Sequence, residues 1–240
     1  MKYSLITTFS QDTVEILNQG NYTLCCFLAS KTENPSLFVP LCWSITKDFL
    51  QSVLIEWEDT LCSYLSTSEI KENSVIYIPQ LGPQKGSATG RSSVSGSSYQ
   101  IELRQRMLIE NSGKVSVDSL NTLDNVLIQN NSNNRYSTGI SIYNNSEEKY
   151  YGNCTFNSYY GQNIKIAPVN KAFLMFTNNN IENNTVVSIA ENPGIMIDLT
   201  ASIDNSRTVS YDMNSGWSSN GQTWAKKYPS GTNLKTLLLS

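Results

Sequence analysis

Histidine is absent from all 240 residues. That absence excludes serine and cysteine hydrolases built on a His base, imidazole-dependent zinc sites and the commonest general base near neutral pH. Charge is scarce too, since Asp, Glu, Lys and Arg make up only 15% of the chain, well below the usual quarter or so. The formal net charge is −3 and the pI about 5.1, so neither nucleic acid nor an anionic membrane is expected as a partner. No run approaches the roughly 18 apolar residues that a membrane-spanning helix requires. Polar residues interrupt the N-terminus from Thr7 onward, and a cleaved secretory signal is not expected. Cysteines at metal-knuckle spacing, a phosphate-cradling Gly-rich loop and an Asp-rich calcium loop are missing as well. We therefore read the chain as non-enzymatic, with no cofactor and no metal.

What is present is Ser, Thr and Asn, roughly a third of the residues, interleaved with apolar and aromatic side chains at strand-like spacing. A chain of this length buries a core without dividing. The expectation is one all-β domain over residues 1–240, an antiparallel β-sandwich, one large or two closely packed, with long polar loops. Strands are expected at Tyr3–Phe9, Tyr22–Ala29, Leu37–Trp43, Ser74–Ile78, Tyr99–Ile109, Thr138–Tyr143, Asn163–Ala167, Ala172–Thr177, Thr185–Ala190, Gly194–Thr200 and Arg207–Met213. Thr46–Tyr64 fits both periods. Its β-branched and aromatic residues favour a strand. Leu120, Leu123 and Leu127 suggest a short helix within Val117–Leu127. Gly82–Ser98 reads as an exposed Gly/Ser-rich loop or arm, and the Asn clusters at 130–134, 144–145 and 178–184 as turn tips.

Candidate chemistry is thin. Glu56, Glu58 and Asp59 could supply paired carboxylates, but a solvated strand end explains them better. The five sequons, at Asn21, Asn130, Asn144, Asn153 and Asn183, are what so Asn- and Ser/Thr-rich a chain yields by chance. Cys25, Cys26, Cys42, Cys62 and Cys154 are the chemically active set, and an odd count leaves at least one thiol unpaired in a monomer. Adjacent Cys25 and Cys26 point to opposite faces of a strand, one to the core and one towards a neighbouring subunit. Cys154, in an Asn/Gly/Tyr-rich stretch read as exposed, is the first candidate for an intermolecular disulfide. Tyr143, Tyr150, Tyr151, Tyr159, Tyr160, Trp217 and Trp224 could stack on sugars or fill subunit contacts.

Phe173-Leu174-Met175-Phe176, followed by the run from Thr185 to Asp212, resembles the C-terminal half of the RhiA-like bacterial β-proteins. Leu54-Ile55-Glu56-Trp57 and Gly82-Pro83-Gln84-Lys85-Gly86 are similar to that family's Trp-containing strands and its Gly-Pro-Gln turn. The resemblance implies no catalytic residues. In its acidity, its cysteines and its neutral polar surface the chain also resembles the crystal-matrix proteins of zygomycete fungal vacuoles, which implies a dense gravity-sensing particle.

Three functions follow. The leading one is self-assembly into a dense homo-oligomer or crystal, held by intermolecular disulfides, with the chain itself as partner. It suits an acidic vacuole-like compartment, where net charge nears zero, with the cytoplasm second. A glycan-binding, lectin-like sandwich is the alternative. A β-pore is the third, although the arm from Ser87 to Ser98 offers only Val94 as a large apolar side chain.

Overall fold

Alternation along the first strand sets the pattern for the whole molecule: Tyr3, Leu5, Thr7 and Phe9 are buried while the residues between them are less so. The computed structural model describes residues 1–81 and 95–239. In chain order the strands are β1 (Lys2–Phe9), β2 (Thr23–Thr32), β3 (Val39–Pro40), β4 (Ser44–Thr46), β5 (Ser52–Ser66) and β6 (Gly96–Ile101). There follow β7 (Arg106–Ile109), β8 (Val115–Asp118), β9 (Val126–Asn130), β10 (Tyr136–Asn144), β11 (Lys149–Gly152) and β12 (Cys154–Ser158). The last are β13 (Gln162–Thr177), β14 (Gly194–Asp198), β15 (Ser206–Asp212), β16 (Gly216–Ser218) and β17 (Ala225–Tyr228). Two helices, α1 (Gln11–Gln19) and α2 (Leu234–Leu237), complete the described elements.

The fold is all-β, with two curled, mostly antiparallel sheets packed as a sandwich. One sheet runs β16-β15-β1-β5-β10-β12-β3, with β11 on β10 and β6 on β5. The other runs β17-β14-β13-β9-β7-β8, with β2 on β13 and β4 on β2. Two pairings are parallel, β1 with β15 and β7 with β9. The largest cluster of buried side chains draws on strands of both sheets. Within it Trp43 and Trp57 meet edge to face at 5.9 Å, and the Trp43 indole N–H donates to the Ile142 carbonyl at 3.1 Å. A buried indole so satisfied adds apolar area without an orphaned donor.

The ambiguous segment is a strand, β5, with Val53, Ile55 and Trp57 facing the core. A register shift against β10 lies between Ile142 and Tyr143, opposite Asp59 and Thr60. Beyond it both faces of β5 are buried, because Ile76 and Ile78 of the following loop cover Tyr64 from outside.

Several expectations need correction. Val117–Leu127 holds no helix: β8 ends at Asp118, a turn exposes Leu120 and Leu123, and β9 begins at Val126. Tyr99–Ile109 is two strands, broken at Arg104, whose φ is +71°. Ser74–Ile78 and Thr185–Ala190 are coil joined by the single bridge Val75↔Thr185. Leu37–Trp43 contains only the two-residue β3, after a 3-10 turn at Pro35–Leu37. Asn130 and Asn144 are not turn tips. They end β9 and β10 with buried side chains that tie the turns from inside, through Asn134 O at 3.0 Å and Glu147 N at 3.1 Å. Of the Gly/Ser arm, Gly96–Ser98 belong to β6, while 82–94, including the Gly-Pro-Gln run, lie outside the described residues. Helix α1 was unforeseen, yet its signals are local: Ser10 accepts from Thr13 N at 3.3 Å, Asp12 sits in the first turn, and Val14 and Leu17 face inward. Among the described residues no helix is long and apolar enough to cross a membrane.

Among the described glycines, Gly139 of β10 leaves the least room for a side chain. A Cβ there would stand 2.1 Å from the Cys154 carbonyl oxygen, the same oxygen that accepts the buried Tyr64 hydroxyl at 2.8 Å. Backbone cannot yield as a side chain can. Gly139→Ala is expected to cost about 3 kcal/mol and to lower the melting temperature by roughly 10 °C, followed by circular dichroism.

Candidate self-association surface

The five cysteines fail to form a reactive surface. All are free thiols and all are fully buried. Cys25 and Cys26 do alternate on β2, but that strand lies between β13 and β4 and is buried on both faces from Thr23 to Ser30, so neither thiol meets a neighbour. Cys42 lies against Cys25, and its thiol donates to Ser44 O at 3.6 Å. Cys154 opens β12, which is covered by β10 and β3, and is buried, not exposed. Burial pushes the thiols of Cys62 and Cys154 up to about 12, and those of Cys26 and Cys42 well above the ordinary range. Protonated thiols in such places act as small apolar residues. A disulfide to a second copy would first require the fold to open.

The carboxylates are likewise held in structural contacts. Glu56 and Glu58 share the outer face of β5, as alternation requires; Glu56 pairs with Lys2 at 3.0 Å and Glu58 accepts from Asn145 at 2.7 Å. Asp59 is exposed beyond them. The aromatic candidates scatter. Tyr143 and Tyr150 meet edge to face on the β10–β11 hairpin, with Tyr151 buried beside them, whereas Tyr159 and Tyr160 are exposed at the β12–β13 turn. Trp217 is buried near the start of β14, and Trp224 lies under the Arg207 guanidinium at 4.9 Å.

What composition did not reveal is an open sheet edge. Among the described residues, strand β8 ends its sheet and pairs only with β7, in the register Ile109↔Val115 to Arg106↔Asp118. The connecting turn fixes which backbone groups face out. Gly113, at φ +81°, donates to Glu110 O, and Glu110 N donates to Lys114 O, both at 2.8 Å. Residues 110 and 114 are thus a hydrogen-bonded pair, and by antiparallel alternation so are 108 with 116 and 106 with 118. The N–H and C=O of Val115 and Val117 therefore point away from β7, and among the described residues no backbone group pairs with them.

Side chains complete the surface. Val115 and Val117 are half-buried against the main core, on the face of Met107 and Ile109. Lys114, Ser116 and Asp118 share the other face. Asp118 is gripped by Arg106 through Nη2 at 2.7 Å and Nε at 3.2 Å, and this contact holds its carboxyl below the usual range. At the end of the strand Leu103, Leu120 and Leu123 are exposed by 38%, 70% and 43%. An unpaired edge beside exposed leucines is a template for another strand.

The thiol chemistry is testable directly. A thiol reagent should label none of the five cysteines in the native chain and all five after unfolding; rapid native labelling at Cys154 would restore the exposed reading. Because the folded-state values are raised, the thiols' contribution is full below their ordinary value of 9.0 and is lost above it. At pH 10 the thiols of Cys62 and Cys154 each cost about 1.4 kcal/mol of stability, so urea midpoints should fall steeply between pH 8 and pH 10.5.

No family model, curated protein or solved structure matches this chain.

Proposed function

We propose that the chain is a non-enzymatic structural protein that associates with itself into a dense homo-oligomeric or crystalline particle, of the type formed by the fungal crystal-matrix proteins it resembles. The observation that carries this reading is the self-complementary edge Lys114-Val115-Ser116-Val117-Asp118. A second copy laid antiparallel about a two-fold axis at Ser116 exchanges backbone hydrogen bonds between Val115 of one copy and Val117 of the other. These are the groups that β7 leaves free. The same register sets Lys114 opposite Asp118 of the second copy as a non-hydrogen-bonded pair, where side chains come closest. Charge, hydrogen bonding and burial of the valines agree on one register.

An isologous pair closes on itself, so growth beyond it uses other surfaces. The low charge density supports that step. Near pH 5 the net charge approaches zero and repulsion between pairs disappears. With the thiols enclosed, cohesion is non-covalent, and reduction should leave the particles intact.

Sedimentation at pH 5 and pH 8 tests the interface. The native chain should associate at pH 5. Val117→Pro removes an outward N–H that no bond among the described residues uses and should leave a folded monomer. Lys114→Glu sets like charges across the axis twice and should weaken association roughly tenfold. A native chain that stays monomeric when concentrated at pH 5, or a Val117→Pro chain that assembles normally, refutes the proposal.

A further inference from the structure

At the opposite end of the second sheet from β8, a cleft of about 440 Å³ opens where β13 ends, β14 begins and β15 turns into β16. Its volume falls in the range of small-molecule sites. The floor is aromatic. Phe176 and Trp217 are buried and stacked at 5.4 Å, and Tyr211 leans on both, 4.4 Å from Phe176 and 4.9 Å from Trp217. The Trp217 indole N–H donates to Pro193 O at 3.2 Å, which fixes the ring. Tyr211 is only half-buried and lines the opening.

Polar groups stand around this floor. Asn192 gives its amide N–H to Phe176 O at 3.0 Å, which leaves its side-chain carbonyl free to accept. Asn214 and Ser215 sit on the β15–β16 turn with their backbone N–H groups committed to Asp212, at 2.9 and 3.0 Å, so the turn is held while the Asn214 side chain remains available. Lys227 of β17 is exposed and lines the cleft, whereas no Asp or Glu does. Asp212 is occupied on the other side of β15, by that turn and by Thr13 at 3.2 Å.

We infer that this cleft binds an acidic sugar, a pyranose ring bearing a carboxylate. The apolar C–H face of a pyranose fits against an amphipathic tyrosine whose ring is fixed from behind. Its hydroxyls match the side-chain amides of Asn192 and Asn214 on the rim. The uncompensated ammonium of Lys227 matches a carboxylate and discriminates against neutral sugars.

Calorimetric titration with galacturonate, glucuronate and mannuronate trisaccharides, each beside its methyl ester, tests the inference, with tryptophan fluorescence as a second readout. At low salt at least one acidic trisaccharide should bind, about fivefold tighter than its ester. Lys227→Met should erase that difference. Ser215→Trp, at an exposed turn position, should fill the cleft and abolish binding while sedimentation at pH 5 stays native. Equally, Val117→Pro should leave sugar affinity unchanged, so failure of one idea does not carry the other with it. The inference is overturned if no acidic trisaccharide gives heat or a fluorescence change, if ester and acid bind equally, or if Ser215→Trp binds as the native chain does.

Discussion

The structure depends on the capture of the first strand by nearly the last. β1 lies between β5 and β15, and its parallel pairing with β15 runs from Ser4↔Ser206 to Phe9↔Tyr211. Some two hundred residues are closed into a loop by that contact, whose entropic cost rises slowly with length but must be met before the contact stabilises anything. Once it forms, Phe9 joins Phe49 and Phe176, and Tyr211 is delivered onto Phe176. The aromatic cluster and the cleft above it are products of this pairing of distant segments. No local stretch could build them.

Legibility of the sequence followed the reach of the forces involved. Where a local pattern decides, as in the alternation of β1 and the continuous apolar run of β13, the strands could be read directly, whereas β5 fits both periods and only its β-branched and aromatic residues favour the strand. The short helix expected from Leu120, Leu123 and Leu127 was misread because spacing records a period and not a burial: Leu120 and Leu123 face solvent in a turn. Cys154 shows the same limit in reverse. Its Asn, Gly and Tyr neighbours suggested a surface loop, yet a strand's burial is set by the strands beside it, and β12 has β10 and β3. The β8 edge was illegible for the same reason, since being last in a sheet is a property of the whole topology. Of the cleft, Trp217 was among the aromatic candidates, but its partners Phe176 and Tyr211 come from two other strands.

The interior explains how a chain so poor in charge folds uniquely. Polar side chains are buried in number, and most are tied to backbone. Ser63 donates to Gly139 O at 3.2 Å and Thr138 to Tyr64 O, so that β5 and β10 are fastened by hydroxyls as well as by their ladder, while Ser137 donates to Ser68 O just beyond β5. Hydroxyls satisfied in this way reinforce the register that the apolar pattern specifies. The same neutral chemistry that covers the surface thus also orders the inside.

The positions of the edge and the cleft have a joint consequence. β8 terminates one side of its sheet, while Lys227 and the cleft lie at the other, beside β17 and β14. In the edge-to-edge pair proposed above, two copies would form one continuous sheet with a cleft at each far end. Such a pair would be bivalent: on a polymer with repeated acidic sugars, capture by one end would raise the effective concentration seen by the other, and weak single sites would become firm attachment. In the proposed pair, assembly would also set avidity.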